Sequence, residues 1–582
     1  MFNIKNLTAG RASLRHDEVL TAVAAARGLE GASAQEFNHP SPPVPNGLAS
    51  LPMFTRAADR LWATFQGGEP VTFFGDFDCD GLCSLAQMLD LARASGSRSH
   101  RVFIPDRAVD GYGVGRSAVD RCLKEHNPKL LFCVDCGTAA IDLVRELQGN
   151  GVDVVVVDHH DTSLPEGGHP AHAHLNPKDP ACGGGAELAS LSASGLVFLF
   201  CEAFAERHEL RGERGWSRER SLVLGGFGAL ADVTPMVGLN RALVKNSLRL
   251  MNNTGGRLVP GLAALWKTTS FPKLNSYSYS FVFSPMLNAG GRVGTANDAL
   301  RLLAAPSIEA AEKFVPKLDA DNRERKAIQD RIIKESLDRA TDLVAAAPGR
   351  RVLVLSDEAW HPGVVGIVAG RLREQFRRSA IVVGWNALSA NFRGSGRGAP
   401  GVDLRALAER AVAEGVVLEA GGHPQAAGFT LSREQMPLFQ AWLDRQTADC
   451  PLDTSATYEV LGDATAFSFT EWHDVVEALE PFGIANPRPH LLIERAKLVD
   501  VPAEITNRHE GAVFKIQGTF ELPNRRRISA CWRNLAAARG IWKKNGVYRL
   551  VSMISTRTTA HTGRTYEEWD VVACAKVAAS DR

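Results

Sequence analysis

Three apolar runs in the first half of the chain each end in an acidic segment, and this pattern restricts the fold more than any other feature. The runs are residues 71–74, 130–134 and 152–157. They are short and rich in β-branched or aromatic residues, which is typical of strands buried in a parallel sheet. Because the carboxyl ends of such strands meet in one crevice, we expect the acidic side chains that follow to lie together. The sequence therefore predicts an α/β fold with a polar site at one edge of a sheet.

The acidic segments carry aspartates and histidines in a pattern that suits metal ions. They are Gly75–Gly81, Val134–Gly137, Asp158–His160 and Ala231–Pro235. Mg²⁺ and Mn²⁺ prefer oxygen ligands, and Mn²⁺ also accepts imidazole. The candidate ligands or supporting acceptors are Asp76, Asp78, Asp80, Asp135, Asp158, His159 and Asp232. Two adjacent ions would activate a water and stabilise a phosphoryl group, so the pattern predicts a hydrolase.

Two simpler interpretations of the Asp-x-Asp-x-Asp segment are a surface turn and a calcium loop. Counted from Asp76, an EF-hand loop needs glycine at its sixth position and glutamate at its twelfth. Gly81 meets the first requirement, but Gln87 stands at the twelfth position. The conjunction of all four acidic segments favours the hydrolase over either interpretation.

Composition bounds the class of protein. The chain has 582 residues, enough for roughly three or four domains, and its 66 basic and 65 acidic side chains nearly cancel. The net charge of the chain therefore gives no indication of nucleic-acid binding. The N-terminus lacks the features of a secretory signal, and the most apolar helical stretch, residues 194–205, is too short for a bilayer. We expect a cytoplasmic protein with reduced cysteines and no membrane attachment.

Changes of pattern divide the chain into five predicted segments. They are an extended, proline-rich lead-in over 1–45, an α/β domain over 46–305, a connecting helix over 306–347, a second α/β domain over 348–450 and an antiparallel, OB-like β-barrel over 451–582. The connecting helix is charged, has apolar residues at helical spacing and is interrupted once by Pro316. In the second α/β domain, the glycine-rich segment 393–398 is predicted to be a turn. A helix this long would separate the two α/β domains across a groove.

The ordered set of motifs resembles the DHH phosphoesterase superfamily, and more closely the RecJ-type single-strand-specific exonucleases. Asp158–His160 matches the triplet that names the superfamily, and Gly75–Gly81 is similar to its first motif. Gly421–Gly428 resembles the signature of the associated DHHA1 domain. Other RecJ-like segments are Asp110–Gly113, Leu287–Arg292, Trp360–Ala369 and Pro481–Pro487. The resemblance covers about residues 45 to 580, so it implies a DHH domain, the connecting helix, a DHHA1 domain and the barrel.

The resemblance implies an enzyme of DNA repair and recombination that hydrolyses single-stranded DNA from the 5′ end to 5′-mononucleotides with two Mn²⁺ or Mg²⁺ ions. Metal-site positions fall on Asp76, Asp78, Asp80, Asp135, His159 and Asp232. His160 falls beside the scissile phosphate, and the catalytic set is His160, Asp158 and Asp80.

Further positions of the resemblance imply contacts with DNA. They are Arg107, Tyr112, Asn288, Arg292, Ser395, Arg397 and His423. A sequence-tolerant nuclease should hold phosphates through arginine, whose planar fork matches their geometry. Tyr112 suits stacking on a base, since every base has an aromatic face. Two simpler roles stay open, a surface charge for Arg397 and a hydrogen bond within its own loop for His423.

The C-terminal barrel is predicted to add a second hold on the strand. Its aromatic residues alternate with basic ones, for example Phe520, Trp532 and Trp542 with Arg525–Arg527 and Lys543. That mixture suits stacking and electrostatic tracking, although core packing explains the aromatics equally well. The implied partners are single-stranded DNA, a helicase and a single-strand-binding protein, and we expect a monomer.

Two other functions compete with this interpretation. One is a DHH phosphoesterase that acts on pyrophosphate, short oligonucleotides or cyclic dinucleotides, although such relatives generally lack a C-terminal barrel. The other is a replication scaffold of the same fold that has lost catalysis. A scaffold would be expected to shed metal ligands, and this chain keeps all of them.

Overall fold

A computed structural model describes residues 2–7, 16–107, 109–110, 113–162, 164, 167–211, 215–452, 455–464, 469–506, 513–533, 535–558 and 565–577. The chain forms two compact units, one of residues 41–454 and one of residues 1–40 with 455–582. Within the described part of the chain, none of the helices has the length and apolar character needed to cross a bilayer.

The strands are β1 (Phe2–Asn6), β2 (Val71–Gly75), β3 (His100–Phe103), β4 (Leu130–Val134), β5 (Asp153–Val157), β6 (Ala173–Leu175), β7 (Val352–Asp357), β8 (Ser379–Asn386), β9 (Asn391–Arg397), β10 (Glu419–His423), β11 (Ala426–Leu431), β12 (Ala456–Asp463), β13 (His490–Leu498), β14 (Ala503–Thr506), β15 (Val513–Glu521), β16 (Arg527–Trp532), β17 (Val547–Thr558) and β18 (Thr565–Lys576).

The helices are α1 (His16–Ala26), α2 (Ala32–Asn38), α3 (Asn46–Ala49), α4 (Pro52–Gly67), α5 (Cys79–Ala94), α6 (Arg116–His126), α7 (Ile141–Gly149), α8 (Gly185–Ala189), α9 (Ala193–Arg207), α10 (Arg218–Ala231), α11 (Gly238–Thr254), α12 (Pro260–Lys267), α13 (Ser284–Val293), α14 (Asn297–Leu303), α15 (Ile308–Glu312), α16 (Val315–Ala346), α17 (Val365–Phe376), α18 (Leu404–Ala413), α19 (Met436–Gln446), α20 (Phe469–Leu479) and α21 (Leu535–Ile541). A π-helix, Ser278–Phe283, precedes α13.

The first sheet of the larger unit has the order β3-β2-β4-β5-β6, and all its strands are parallel. Its three central strands end in register, because Gly75 lies opposite Val134 and Val134 lies opposite Val157. The acidic segments that follow these strands therefore begin at one level of the sheet. This confirms the α/β prediction, and the helix predicted at 194–205 is buried as α9.

A single long helix, α16, follows this domain. It has 32 residues, so it is roughly 48 Å long. Pro316 lies in its first turn, where a backbone N–H has no partner within the helix, so the proline starts the helix and does not break it. Helix α16 packs against both α13 and α17 and thereby connects the two α/β domains.

The second sheet has the order β10-β11-β9-β8-β7, in which β7 and β8 are parallel and the other pairs are antiparallel. The prediction of a turn at 393–398 is wrong, because residues 393–397 belong to β9 in the middle of the sheet. A Cβ on Gly396 would lie 3.1 Å from both Leu404 and Phe429, so glycine here permits close packing. The glycines that suggested a turn instead allow neighbouring side chains to pack closely against β9.

The smaller unit contains a closed barrel of five strands. Its ring runs β13-β15-β16-β18-β17 and returns to β13. The β16–β18 pair is parallel and the other four pairs are antiparallel. The barrel is OB-like as predicted, but it is not purely antiparallel. Phe520, Trp532 and Trp542 are buried and pack on one another, so these aromatics form core.

The N-terminal segment differs from the predicted extended lead-in. Strand β1 pairs in parallel with β12 of the smaller unit, and helices α1 and α2 follow it. Residues 40–44, which include three of the prolines, do lack helix and strand. The apolar segments before the prolines are short, so their pattern does not predict β1. Its pairing partner, β12, lies about 450 positions away in the sequence.

Candidate active site

The loop after β2 brings three aspartates to the edge of the first sheet. Asp78 caps α5, since its carboxylate accepts hydrogen bonds from the backbone N–H groups of Asp80 (2.9 Å) and Gly81 (3.2 Å). A Cβ on Gly81 would lie 2.4 Å from the carbonyl oxygen of Asp76, so the tight loop requires glycine there. The sequence thus fixes the three carboxylates in one compact turn.

Asp80 is held by the start of α9. Its two carboxylate oxygens accept hydrogen bonds from the backbone N–H groups of Ala193 (2.8 Å) and Ser194 (3.0 Å). The unpaired N–H groups and partial positive charge of a helix N-terminus stabilise a carboxylate. Asp80 is therefore buried and held by two hydrogen bonds.

His159 lies at the centre of the acidic segments. Its Nε2 is 3.4 Å from Asp135, 3.7 Å from Asp232 and 3.9 Å from Asp80. Burial lowers the pKa of His159 to about 4, so the ring is neutral at pH 7 and its lone pair is available to a metal. Carboxylates that follow β2, β4 and α10 thus meet around one imidazole.

The ligand atoms form three overlapping groups, and within each group every atom lies within 4.8 Å of the others. The groups are Asp76, Asp78 and Asp135; Asp80, His159 and Asp232; and Asp135, His159 and His160. Burial, together with the charge of Asp78, raises the pKa of Asp76 to about 7. Burial and the charges of Asp80, Asp78, Asp76 and Asp232 raise the pKa of Asp135 well above its usual range. Bound divalent cations would relieve this repulsion, so the donor set fits Mn²⁺ or Mg²⁺.

His160 is paired with Asp158. Its Nδ1 is 2.7 Å from an Asp158 oxygen, and the same oxygen accepts a hydrogen bond from the His159 backbone N–H. Burial alone would lower the pKa of His160, but the hydrogen bond and the nearby carboxylates outweigh it and raise that pKa to about 9. Although burial opposes it, the partnership with His160 lowers the pKa of Asp158. An oriented imidazolium therefore faces the site.

A chain of polar side chains behind Asp158 was not found by sequence analysis. Thr138 donates its backbone N–H to Asp158 (3.1 Å), and its hydroxyl lies 3.1 Å from His174. His174 Nδ1 is 2.9 Å from Asp179, and Asn176 donates to both the Thr138 hydroxyl and the His160 carbonyl oxygen. His174 and Asn176 belong to β6 or follow it, and no motif distinguishes so short a strand.

The second α/β domain reaches the site through His423, at the end of β10. Its Nδ1 lies 2.8 Å from Asp161 of the first domain, and its ring stacks near that of His160 with centroids 6.3 Å apart. The hydrogen bond thus joins two domains, so the alternative of a bond within its own loop is wrong. Lys178 also binds Asp161 (2.9 Å). Asp161 was missed because nothing local marks it as a partner of a residue 262 positions away.

Arginines of both domains meet in a second cleft of about 370 Å³, to which Arg292, Arg371 and Arg397 contribute. Arg292 donates to the carbonyl oxygen of Gly363 (3.2 Å), and Arg397 donates to the Ser395 hydroxyl (2.9 Å). Arg397 therefore lines an interdomain cleft, a setting that favours phosphate binding over an ordinary surface charge.

The remaining DNA-binding candidates lie near the same walls or outside the described residues. The guanidinium of Arg107 lies 5.5 Å from the ring centre of Phe77, in the acidic loop. Asn288 is on α13, one turn before Arg292, and within the described part of the protein its buried Oδ1 has no hydrogen-bond partner. Tyr112 is outside the described residues.

Two protein families match the chain. The DHH family, N-terminal domain, matches residues 70–223, and the DHHA1 domain matches residues 349–449. The first match contains Asp76, Asp135 and His159, and the second contains Ser395, Arg397 and His423. The two walls of the site thus correspond to two recognised domains.

Relatives extend the match over most of the chain. The single-stranded-DNA-specific exonuclease RecJ of Bacillus subtilis is 32 % identical over 459 residues, which are 76 % of this chain and 54 % of that protein. The chain thus spans about half the length of that relative. RecJ of Escherichia coli is 31 % identical over 417 residues, 67 % of this chain and 69 % of the relative.

Solved structures of RecJ from Thermus thermophilus have the same fold. The complex with Mn²⁺ has a TM-score of 0.77 at 24 % identity and covers 99 % of this chain and 80 % of that one. The complex with Mg²⁺ has a TM-score of 0.70 at 22 % identity, and the match covers 99 % of this chain and 78 % of that one. These structures show the shared fold, and the identity to the Escherichia coli protein over two thirds of both chains establishes that the chain belongs to the RecJ family.

Proposed function

We propose that the protein hydrolyses single-stranded DNA from the 5′ end and releases 5′-mononucleotides, with Mn²⁺ or Mg²⁺ at Asp76, Asp78, Asp80, Asp135, His159 and Asp232. One observation carries this proposal: a neutral His159 lies 3.4–3.9 Å from carboxylates of three separate chain segments, opposite a wall with His423. The names of the RecJ relatives supply the substrate, and the 5′ polarity is what the family resemblance implies.

The metal ions would supply Lewis-acid stabilisation of the phosphate charge and activation of the attacking water. Asp80, fixed by the α9 N-terminus, and Asp78, fixed as a helix cap, orient the ligand set before substrate arrives. His160, positively charged and held by Asp158, donates a hydrogen bond from Nε2 to a non-bridging oxygen of the scissile phosphate. Its charge offsets the negative charge that grows in the transition state.

Residues of both domains hold the strand. Arg292, Ser395 and Arg397 bind backbone phosphates in the interdomain cleft, and His423 binds the phosphate beside His160. Arg107 contributes to a pocket for the 5′ phosphate, as the family resemblance implies, and Asn288 donates a side-chain amide N–H to a phosphate oxygen. Contacts to phosphates carry no sequence information, which suits an enzyme that digests any strand. Tyr112 remains a proposed stacking residue.

A time course on strands labelled at either end tests the activity. With Mn²⁺, early release of labelled mononucleotide is expected from the 5′-labelled strand alone, and EDTA should stop it. Duplex DNA and RNA of the same sequence serve as substrate controls. Asp232→Asn is the matched inactive variant, since this carboxylate lies in a partly exposed loop where amide substitution leaves the fold intact.

The same assay separates the alternatives. Turnover of dinucleotides or pyrophosphate without digestion of longer strands would reject the exonuclease assignment and indicate a small-substrate phosphoesterase. Binding without turnover in any metal would indicate a scaffold. The domain limits given above, the helicase and single-strand-binding partners, the monomeric state and the cytoplasmic location stay predictions.

A further inference from the structure

One face of the helix that carries Arg292 is less buried than the other along its whole length. Helical turns run without interruption from Ser276, through the π-helix, to Val293. Its less buried positions include a stripe that recurs every three or four residues, formed by Tyr277, Phe281, Pro285, Asn288 and Arg292. Two of the proposed DNA-binding residues occupy one end of this stripe, and two aromatic rings occupy the other.

The rings of Tyr277 and Phe281 are unusually exposed. Tyr277 is 55 % exposed and Phe281 is 68 % exposed, and they are the aromatic members of the exposed large hydrophobic residues in the described part of the chain. Their centroids lie 5.2 Å apart at an interplanar angle of 28°, and Phe271 contacts Tyr277 at 6.3 Å. Contiguous exposed apolar side chains are characteristic of binding sites.

The opposite face of the helix is fixed to the protein core and to the metal loop. Tyr279 is fully buried, with its hydroxyl 3.2 Å from that of Ser247 and its ring against Phe227. A Cβ on Gly291 would lie 2.9 Å from the ring of Phe77, so the helix packs directly on the acidic loop. The exposed rings are therefore held at a fixed position relative to the site.

We propose that Tyr277 and Phe281 form a stacking platform for bases of the single strand outside the catalytic site. The inference rests on the proposed function and deepens it. Arg292 lies eleven positions after Phe281, so the platform lies roughly 16 Å along the helix from the phosphate-binding end. Stacked rings accept any base, as the sequence-independent phosphate contacts also require. The platform binds bases a few nucleotides from the scissile phosphate.

The test compares a strand of about twelve nucleotides with a dinucleotide, which is too short to occupy the catalytic site and the platform together. The double variant Tyr277→Ala/Phe281→Ala is expected to lower the ratio of kcat/KM for the long strand to that for the dinucleotide by about tenfold. Tyr277→Phe/Phe281→Tyr keeps both rings and should retain the wild-type ratio. Leu438→Ala, which truncates another exposed apolar residue, is the matched surface control. A ratio within about twofold of wild type in the double variant would overturn the platform.

A binding measurement separates failure of the platform from failure of the proposed activity. In the Asp232→Asn background, fluorescence anisotropy of the labelled long strand should give a Kd about tenfold higher when both rings are removed. A strand with abasic residues in its middle should lose this difference. Equal weakening for the normal and the abasic strand would show that the rings do not stack on bases. Absence of nuclease activity in the wild type would refute the exonuclease and leave this binding result to decide the platform.

Discussion

The first sheet of the larger unit is parallel throughout, whereas the second is antiparallel except for β7 and β8. In the first, functional side chains follow the carboxyl ends of strands, so chain segments that are far apart converge at one buried point. In the second, Ser395 and Arg397 lie within β9 and His423 ends β10, so they present a partly exposed surface. The parallel sheet gathers the proposed metal ligands at one point, and the antiparallel sheet spreads the residues that are proposed to bind the strand over a surface.

The two walls also differ in charge and burial. Asp76, Asp80 and Asp135 are buried, and burial together with mutual repulsion raises the pKa of Asp76 and Asp135. The His423 side chain is 46 % exposed and shares a hydrogen bond with Asp161. We therefore expect changes in the first wall to affect kcat and metal-dependent stability, and changes in the second to affect KM.

The largest effect should come from Asp135→Asn. Asp135 adopts a left-handed conformation with φ of 61°, which asparagine also tolerates, so the variant should fold. Loss of a ligand shared by two groups should lower kcat by at least about a thousandfold, or ~4 kcal/mol. Strand binding, measured by anisotropy, should persist. Asp142→Asn removes an exposed carboxylate of the same domain and should leave kcat unaltered.

A smaller effect, on KM, is expected from Arg397→Ala. Loss of a charge-assisted hydrogen bond costs about 1.5–3 kcal/mol, so KM should rise about tenfold or more while kcat changes much less. Steady-state kinetics on single strands measure this. Arg405→Ala, which removes an arginine paired with Glu409 in the same domain, is the control. A fall in kcat as large as that of Asp135→Asn would contradict the division of roles.

A third effect, of similar size, concerns thermal stability. Mn²⁺ at about a hundred times its Kd should stabilise the protein by ~2.7 kcal/mol, which differential scanning calorimetry would detect as a higher Tm. EDTA should reverse the gain. The same addition should leave the Tm of Asp135→Asn nearly constant, and a full shift in that variant would exclude Asp135 as a ligand.

The metal-free protein should also lose stability as pH rises. Burial and the charge of Asp78 raise the pKa of Asp76 from 3.8 to about 7. Its stabilising contribution is thus present below about pH 4 and lost as pH rises through about 7. In EDTA, Asp76→Asn should make Tm depend less on pH between about pH 4 and pH 7. If the slope of Tm against pH stays the same in this variant, groups other than Asp76 cause the loss of stability.

Much of the first domain could be predicted from sequence, because its signals are local. The run 130–134 coincides with β4, and the acidic segments after β2, β4 and β5 do converge. Glycine misled the prediction where its role was tertiary, as in β9, whose glycines permit close packing within a sheet. The barrel aromatics were likewise ambiguous, since alternation with basic residues occurs both in a core and in a binding surface.

The sequence by itself determined which side chains could bind metal, because ligand chemistry depends on residue type and parallel strands have a predictable polarity. Only the tertiary structure decided what surrounds them. The Thr138–His174–Asp179 chain, the pairing of His423 with Asp161 and the outward stripe of Tyr277 and Phe281 depend on contacts between distant segments or on which helix face is buried. No local pattern encodes such contacts, since they arise when separate elements pack together.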